Sequence, residues 1–191
     1  MKIYLIRHAK SKDDKKSLVQ RLTTPVFIDS ETRHKVKEVK NKIGEVDIVF
    51  CSPLKRTMQT ADLIFGKNNY RVLHCLREYG IPAETIGKPR EVHVHFWAVK
   101  HKQDRMNIHW TPKGGESFAS IAKRVKKFHN FMINLKATKK YNKVAVVGHG
   151  TFMRHFLLSV ANVPWAKYPR LIFDVLRILK WDNLHVIEVE I

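Results

Sequence analysis

The chain has 191 residues, 44% of them hydrophobic and 28% charged, and no stretch approaches the roughly 20 uninterrupted apolar residues of a membrane-spanning helix. Length and composition predict a single globular domain, residues 1–191, with no membrane association, and the lack of an export signal favours the cytoplasm. Lysine and arginine (36) outnumber aspartate and glutamate (17), which gives a formal net charge of +19. Such a field attracts phosphate esters and other anions, but dispersed lysines do not favour nucleic acid as the main partner.

The first predicted element is a short buried strand, Ile3–Ile6, that runs directly into Arg7 and His8. The polar, basic segment from Lys10 to Thr24 is predicted to be a loop. Two helices and two strands are predicted next: a helix at 30–43, a strand at 46–51, a helix at 57–65 and a strand at 71–76.

The second half of the chain begins with a predicted insertion at about 81–115, where hydrophobic periodicity is poor and three prolines interrupt the sequence. We expect it to lie over the active-site edge of a sheet. The remaining predicted elements are a helix at 117–135, a strand at 143–147, a helix at 151–160 and a C-terminal hairpin within 171–191. Strand and helix alternate for most of the chain, which indicates an α/β fold: a three-layer sandwich around a mostly parallel central sheet.

Chargeable side chains follow four of the predicted strands. They are Arg7 and His8 after the first strand, Arg56 after the second, Glu78 after the third and His149 after the last parallel strand. Because the carboxyl ends of parallel strands share one edge, we expect these groups to converge on one pocket. Two guanidinium groups and one imidazole suit phosphoryl oxygens, a second imidazole can attack phosphorus, and a carboxylic acid can protonate the departing oxygen. The set therefore predicts phosphoryl transfer.

Five segments of the chain carry a family resemblance: LIRHAKS, SPLKRTMQTA, LREYG, PKGGES and VVGHGTF. In this order and spacing they resemble the histidine phosphatase superfamily, whose fold is phosphoglycerate-mutase-like. The resemblance implies that His8 is the nucleophile that becomes phosphohistidine and that Glu78 is the proton donor. The groups expected to hold the phosphoryl group or another part of the substrate are Arg7, Arg56, His149 and Ser11. Neither a cofactor nor a metal is implied, because guanidinium and imidazole groups supply the positive charge.

The stretch after the first histidine departs from the family pattern. The family usually has glycine followed by an acidic residue, where this chain has Ala9 and Lys10. It commonly places asparagine near the phosphate, where this chain has Asp14, so Asp14 is not expected to face the substrate. The alternatives to Glu78 as proton donor, acidic residues of the same region, are Glu84 and Glu91.

The predicted function is metal-independent hydrolysis of a small phosphomonoester. One alternative is a phosphoglycerate-type mutase, although mutases of the family carry a longer segment after the acid than LREYGIPAETIGKP. Another is a protein-phosphohistidine phosphatase, although such compact members generally lack both the acid and the insertion. A non-catalytic anion-binding or nucleic-acid-binding module would not need a nucleophile such as His8. The His93-x-His95 spacing in the insertion can bind zinc, but we expect these side chains to line the mouth of the pocket instead.

Overall fold

The computed structural model describes residues 1–21, 23–103, 107–164 and 181–191. Its strands are β1 (Lys2–Arg7), β2 (Ile48–Cys51), β3 (Arg71–Val72), β4 (Lys143–Gly148) and β5 (Val186–Glu190). Its α-helices are α1 (Lys12–Lys15), α2 (Ser30–Ile43), α3 (Lys55–Phe65), α4 (Arg90–Gln103), α5 (Phe118–Ala137) and α6 (Gly150–Val160). Single 3₁₀ turns lie at His74–Leu76 and Ala83–Thr85.

The strands form one sheet in the order β3-β2-β4-β1-β5, and β5 runs antiparallel to β1 while the other pairings are parallel. The register of β1 and β4 pairs Arg7 with Gly148. The next residues along each strand, His8 and His149, therefore leave the sheet side by side at its carboxyl edge. Because β2 lies on the other side of β4, the chain that follows Cys51 starts at the same edge.

Helices cover both faces of the sheet, and each face has its own hydrophobic core. Helices α5 and α6 pack on the face that carries Leu5 and Val146, while α2 and α3 pack on the face that carries Ile6 and Val147. Successive strand residues contribute to opposite cores because side chains alternate along a strand. The buried residues of α5 recur every three or four positions: Ile121, Val125, Phe128 and Met132. The predicted three-layer α/β sandwich with a mostly parallel sheet is thus confirmed.

The segment from residue 10 to residue 24, predicted to be a loop, contains the one-turn helix α1. A capping box starts this helix: the Asp14 amide donates to the Ser11 hydroxyl (3.1 Å), and the Ser11 amide donates to the Asp14 carboxylate (3.0 Å). The strand predicted at 71–76 is also wrong beyond its first two residues. After Val72 the chain leaves the sheet edge and turns, which buries Leu76 completely.

The insertion predicted at 81–115 contains a helix of 14 residues, α4, which the hydrophobic pattern does not indicate. Val92 and Val94 alternate with His93 and His95, as in a strand, and Val94 is 66% exposed. This helix lacks the apolar stripe by which an amphipathic helix is recognised from sequence.

The C-terminal hairpin is described only in part. Strand β5 lies at the edge of the sheet beside β1, while the extended run expected before residue 181 lies outside the described residues. Within the described ranges, no helix is both long enough and apolar enough to cross a membrane.

Candidate active site

The two strand-end histidines lie together under the carboxyl edge of the sheet. The His8 amide donates to the Gly148 carbonyl (3.0 Å), and the ring centroids of His8 and His149 are 5.2 Å apart. Both side chains are buried, with exposed fractions of 1% and 0%. The pairing of β1 with β4 therefore places the two imidazole rings next to each other at the carboxyl edge of the sheet.

The orientation of His8 is fixed by one hydrogen bond. Its Nδ1 lies 2.8 Å from the Ala9 carbonyl oxygen, which can only accept, so Nδ1 carries the proton and Nε2 keeps a free lone pair. Burial, together with the charges of Arg56 and Arg7, lowers the pKa of His8 to about 3. A neutral imidazole with an unprotonated Nε2 is the form of histidine that acts as a nucleophile.

Ser52 fixes the orientation of His149. The Ser52 hydroxyl accepts a long hydrogen bond from the Leu54 amide (3.4 Å) and is free to donate to His149 Nε2 at 2.8 Å. Burial first, and then the charge of Arg56, lowers the pKa of His149 well below its usual value, so the ring is neutral. When the Ser52 hydroxyl is the donor, Nδ1 of the neutral ring carries the proton, and this buried nitrogen has no protein partner among the described residues.

Two arginines, the half-buried Arg7 and the buried Arg56, lie beside the histidine pair. Arg7 donates from Nη1 to the Trp181 carbonyl, and Arg56 donates from Nη1 to the Arg21 carbonyl (3.2 Å). Burial lowers the pKa of both guanidinium groups, neither of which forms an ion pair with a carboxylate of the described residues, and Arg56 is only 1% exposed. Each retains a buried Nε–H that donates to nothing in the described part of the chain.

All four buried side-chain nitrogens that lack a hydrogen-bond partner in the described part of the chain belong to this site: Arg7 Nε, Arg56 Nε, His149 Nδ1 and Arg154 Nε. A buried unpaired donor costs about 1–3 kcal/mol, so native structures rarely keep one without a reason. Arg154 lies beside Arg7. Both Arg7 Nε and Arg154 Nη1 are 3.6 Å from the position that a Cβ atom would occupy at Gly150. The convergence of unpaired donors around His8 indicates a site for an anion that accepts several hydrogen bonds.

Glu78 lies in the wall of the cavity above these groups. The cavity has a volume of about 270 Å³, and its wall includes Arg7, His8, Glu78 and Arg154. The Glu78 carboxylate accepts hydrogen bonds from three amides, those of Tyr79 (2.9 Å), Phe152 (3.2 Å) and Thr151 (3.4 Å), which tie it to the start of α6. The alternative acids, Glu84 and Glu91, are exposed and do not line the cavity.

Arg124 of α5 holds the loop that carries Glu78. Its guanidinium group donates to the carbonyls of Cys75 (2.7 Å), Arg77 (2.9 Å) and Glu78 (3.5 Å). The Glu116 carboxylate, 3% exposed, orients this arginine through hydrogen bonds of 2.7 and 2.5 Å. Arg124 therefore positions the loop from behind, without reaching the cavity.

Ser11, a predicted site residue, does not line the cavity. It is fully buried, and its hydroxyl donates to the Asp14 carboxylate at 2.8 Å within the cap of α1. Arg56 and His149 lie behind the wall, next to His8, while Lys10 is exposed to solvent.

A model of the histidine phosphatase superfamily (branch 1) matches residues 3–183. The chain belongs to this superfamily. Two relatives are the adenosylcobalamin/alpha-ribazole phosphatase of Escherichia coli, 22% identical over 86% of this chain and 81% of the relative, and phosphoserine phosphatase 1 of Hydrogenobacter thermophilus, 26% identical over 88% and 80%.

Solved structures of the superfamily share the fold. The alpha-ribazole phosphatase from Shigella flexneri matches with a TM-score of 0.74 at 18% identity, covering 100% of this chain and 91% of that one. A phosphoserine phosphatase from Entamoeba histolytica, in complex with phosphoserine, matches with a TM-score of 0.73 at 19% identity, covering 98% and 89%. The phosphoglycerate-mutase-like fold expected from the sequence is therefore confirmed.

Three residues that bear on this histidine phosphatase site are absent from the sequence prediction. Ser52 opens the segment SPLKRTMQTA, and its role depends on a contact across 97 positions with His149. Arg154 lies four residues after Gly150, one helical turn along α6, and this spacing from the VVGHGTF segment could have indicated it. Arg124 lies in α5 among three lysines, Lys123, Lys126 and Lys127, so no local sequence feature distinguishes it.

The residues described contain no cluster of three or more histidine, cysteine, aspartate or glutamate side chains that could hold a metal ion. His93, one of the two histidines with possible zinc spacing, has its Nδ1 within 3.0 Å of the Thr85 hydroxyl. His93 also lies in the cavity wall, as expected for a residue at the mouth of the pocket.

Proposed function

We propose that this histidine phosphatase superfamily member hydrolyses small phosphomonoesters through a phosphohistidine intermediate on His8, without a metal. The observation that carries the proposal is the set of buried, unpaired donors around the free Nε2 of His8. A phosphoryl group has three outer oxygens, and each accepts more than one hydrogen bond. It therefore satisfies donors that have no partner within residues 1–21, 23–103, 107–164 and 181–191.

Substrate binding places phosphorus in front of His8. Arg7, Arg56 and the Nδ1–H of His149 donate to the phosphoryl oxygens and offset the negative charge that grows on them in the transition state. Arg154, beside Arg7, adds positive charge on the side of the cavity nearer Glu78. These donors are already held in place by the fold, so little reorganisation accompanies the reaction.

In the first step the Nε2 lone pair of His8 attacks phosphorus, and the bond from phosphorus to the ester oxygen breaks. The electron pair of that bond stays with the ester oxygen, and a proton carried by Glu78 neutralises it as the alcohol leaves. The Nδ1–H bond to the Ala9 carbonyl stabilises the positive charge that spreads over the phosphorylated ring.

In the second step Glu78, now ionised, accepts a proton from water while the water oxygen attacks phosphorus. The bond between phosphorus and Nε2 breaks, its electron pair returns to His8, and inorganic phosphate leaves. The amides of Tyr79, Thr151 and Phe152 hold the Glu78 carboxylate at one position through both steps.

The substrate that we propose is a small molecule rather than a phosphorylated protein or a nucleic acid. A cavity of about 270 Å³ bordered by residues of α4 suits a compact phosphomonoester. The named relatives, an adenosylcobalamin/alpha-ribazole phosphatase and a phosphoserine phosphatase, support hydrolysis over the mutase alternative. A cytoplasmic location stays a prediction from the sequence.

Hydrolysis of p-nitrophenyl phosphate tests the proposal when the parent is compared with His8→Ala, with and without EDTA. His129→Ala is a matched control, because His129 is bonded to Ser159 and lies outside the cavity wall. We expect activity in the parent and in the control, unchanged by EDTA, and none in His8→Ala. Loss of activity in EDTA would overturn the metal-free mechanism, and full activity in His8→Ala would remove the nucleophile assignment.

A further inference from the structure

A buried carboxylate lies close to the groups assigned to phosphate. The Asp14 side chain is 3% exposed, and its charge acts on His8, Arg7 and Arg56. The Asp14 carboxylate therefore adds a negative charge beside the position assigned to a dianionic substrate. Uncompensated, that charge would repel the phosphoryl group.

The Asp14 carboxylate is held in an ionised form by its contacts. Burial opposes ionisation, but hydrogen bonds from Ser11 and the charge of Arg90 lower the pKa of Asp14. One oxygen, Oδ2, accepts from the Ser11 amide (3.0 Å), the Ser11 hydroxyl (2.8 Å) and Gln20 Nε2 (2.5 Å). The other oxygen, Oδ1, accepts from the Arg90 guanidinium group.

Arg90 reaches Asp14 from the insertion. It is the first residue of α4, it lines the cavity, and its side chain is 51% exposed while the partner carboxylate is buried. Backbone hydrogen bonds fasten this end of α4 to the segment after α1. They run from the Val19 amide to the Lys88 carbonyl (2.8 Å), from the Gly87 amide to the Val19 carbonyl (2.9 Å) and from the Arg90 amide to the Ser17 carbonyl (3.1 Å).

We propose that Arg90, held at the start of α4 where this helix docks against the segment after α1, is a positioning residue that neutralises Asp14 and thereby strengthens the binding of a phosphate dianion beside His8. The proposal rests on the proposed function, because it assumes that the phosphoryl group binds beside His8. It gives the insertion a part in the chemistry of the site, through an ion pair whose carboxylate is buried.

A double-mutant cycle tests the pairing. The variants are Arg90→Ala, Asp14→Asn and the combination of both, and Lys88→Ala is the matched control, since Lys88 is an exposed cation two residues away without an ion pair among the described residues. The readouts are the dissociation constant of inorganic phosphate by calorimetry and kcat/KM for p-nitrophenyl phosphate. We expect Arg90→Ala to raise the dissociation constant and to lower kcat/KM, each by about tenfold. We expect Lys88→Ala to change either quantity by less than about twofold.

The decisive result is rescue. Asp14→Asn should bind phosphate as tightly as the parent or more tightly, and adding Asp14→Asn to Arg90→Ala should restore most of the lost affinity. If Arg90→Ala is equally damaging in both backgrounds, Arg90 contacts the substrate itself or only anchors α4, and the proposal is overturned. It is also overturned if Arg90→Ala has no effect.

The two readouts separate this proposal from the proposed function. Phosphate binding does not require His8 to act as a nucleophile, so rescue of affinity without any turnover would support the pairing and count against the phosphatase mechanism. Normal turnover without coupling between the two positions would leave the mechanism intact and remove the pairing. Thermal unfolding of each variant shows that the comparison is made on folded protein.

Discussion

Replacing Ser52 by alanine tests whether the tautomer of His149 matters for phosphate binding. The Ser52 hydroxyl lies 2.8 Å from His149 Nε2, and both side chains are fully buried. We assign the hydroxyl as the donor of this hydrogen bond, which leaves the ring proton on Nδ1. Without this hydroxyl, neutral His149 can move its single proton from Nδ1 to Nε2 or rotate its ring. Either change removes the Nδ1–H that we assign to a phosphoryl oxygen.

The size of the effect follows from the burial of the pair. A buried polar atom that loses its partner costs about 1–3 kcal/mol. If all of that cost falls on the oriented N–H in the transition state, kcat/KM falls by about fivefold to about 150-fold, since 1.4 kcal/mol corresponds to roughly a factor of ten. The Arg56 guanidinium group remains in Ser52→Ala, so activity is reduced and not abolished.

Thr57→Val provides the matched control for Ser52→Ala. Thr57 is also fully buried, and its hydroxyl donates to the Ser52 carbonyl (2.9 Å) and the Leu54 carbonyl (2.5 Å) without touching His149. We expect both variants to lower the Tm. We expect the loss of kcat/KM for p-nitrophenyl phosphate to be larger in Ser52→Ala than in Thr57→Val. Equal kcat/KM in the two variants at equal Tm would refute the orienting role.

Three further substitutions probe other parts of the molecule. Glu78→Gln should lower kcat/KM, which reports the first step, by about 10²–10⁴-fold for alkyl phosphates and much less for p-nitrophenyl phosphate, because nitrophenolate leaves without a proton; an equal loss of kcat/KM on both substrates would argue against Glu78 as the acid. Arg154→Met should weaken inorganic phosphate binding several-fold by calorimetry, since its buried Nε–H has no described protein partner, and unchanged affinity would place Arg154 outside the anion site. Burial lowers the pKa of His155 to about 4, so the unfolded chain binds a proton that the folded chain excludes, and the free energy of unfolding should fall as pH drops from about 6.5 toward 4. His155→Gln should flatten that slope in urea titrations at several pH values, and an identical slope would contradict the assignment.

The parts of the site that the sequence predicted are those on regular strands. Apolar runs such as Ile3–Ile6 and Val144–Val147 are buried on both faces, so their pattern identifies them, and parallel pairing brings the following residues, Arg7, His8 and His149, together. Arg56 and Glu78 reach the same edge because β2 and β3 continue the sheet on the far side of β4.

The parts that the sequence did not predict depend on contacts between distant segments. Helix α4 contains alternating valines and histidines, a pattern that does not indicate a helix. Its start is held by backbone hydrogen bonds to residues 17–19, and the local sequence does not predict these contacts. Ser11 has the residue type and position of a phosphate contact, but its hydroxyl is committed to the Asp14 carboxylate. Asp14 forms a helix cap with Ser11, and the Arg90 that pairs with it lies 76 positions away.

Trapping the phosphorylated enzyme tests the central claim most directly. Glu78→Gln is mixed with excess p-nitrophenyl phosphate, quenched in alkali, where phosphohistidine survives, and digested for mass spectrometry, with His8→Ala treated in parallel. Because the loss of Glu78 removes the base for the second step, we expect the phosphoryl group to accumulate on His8 of the first variant and to be absent from the second. A variant that turns over substrate while the phosphoryl group appears on another residue, or on none, would contradict the account.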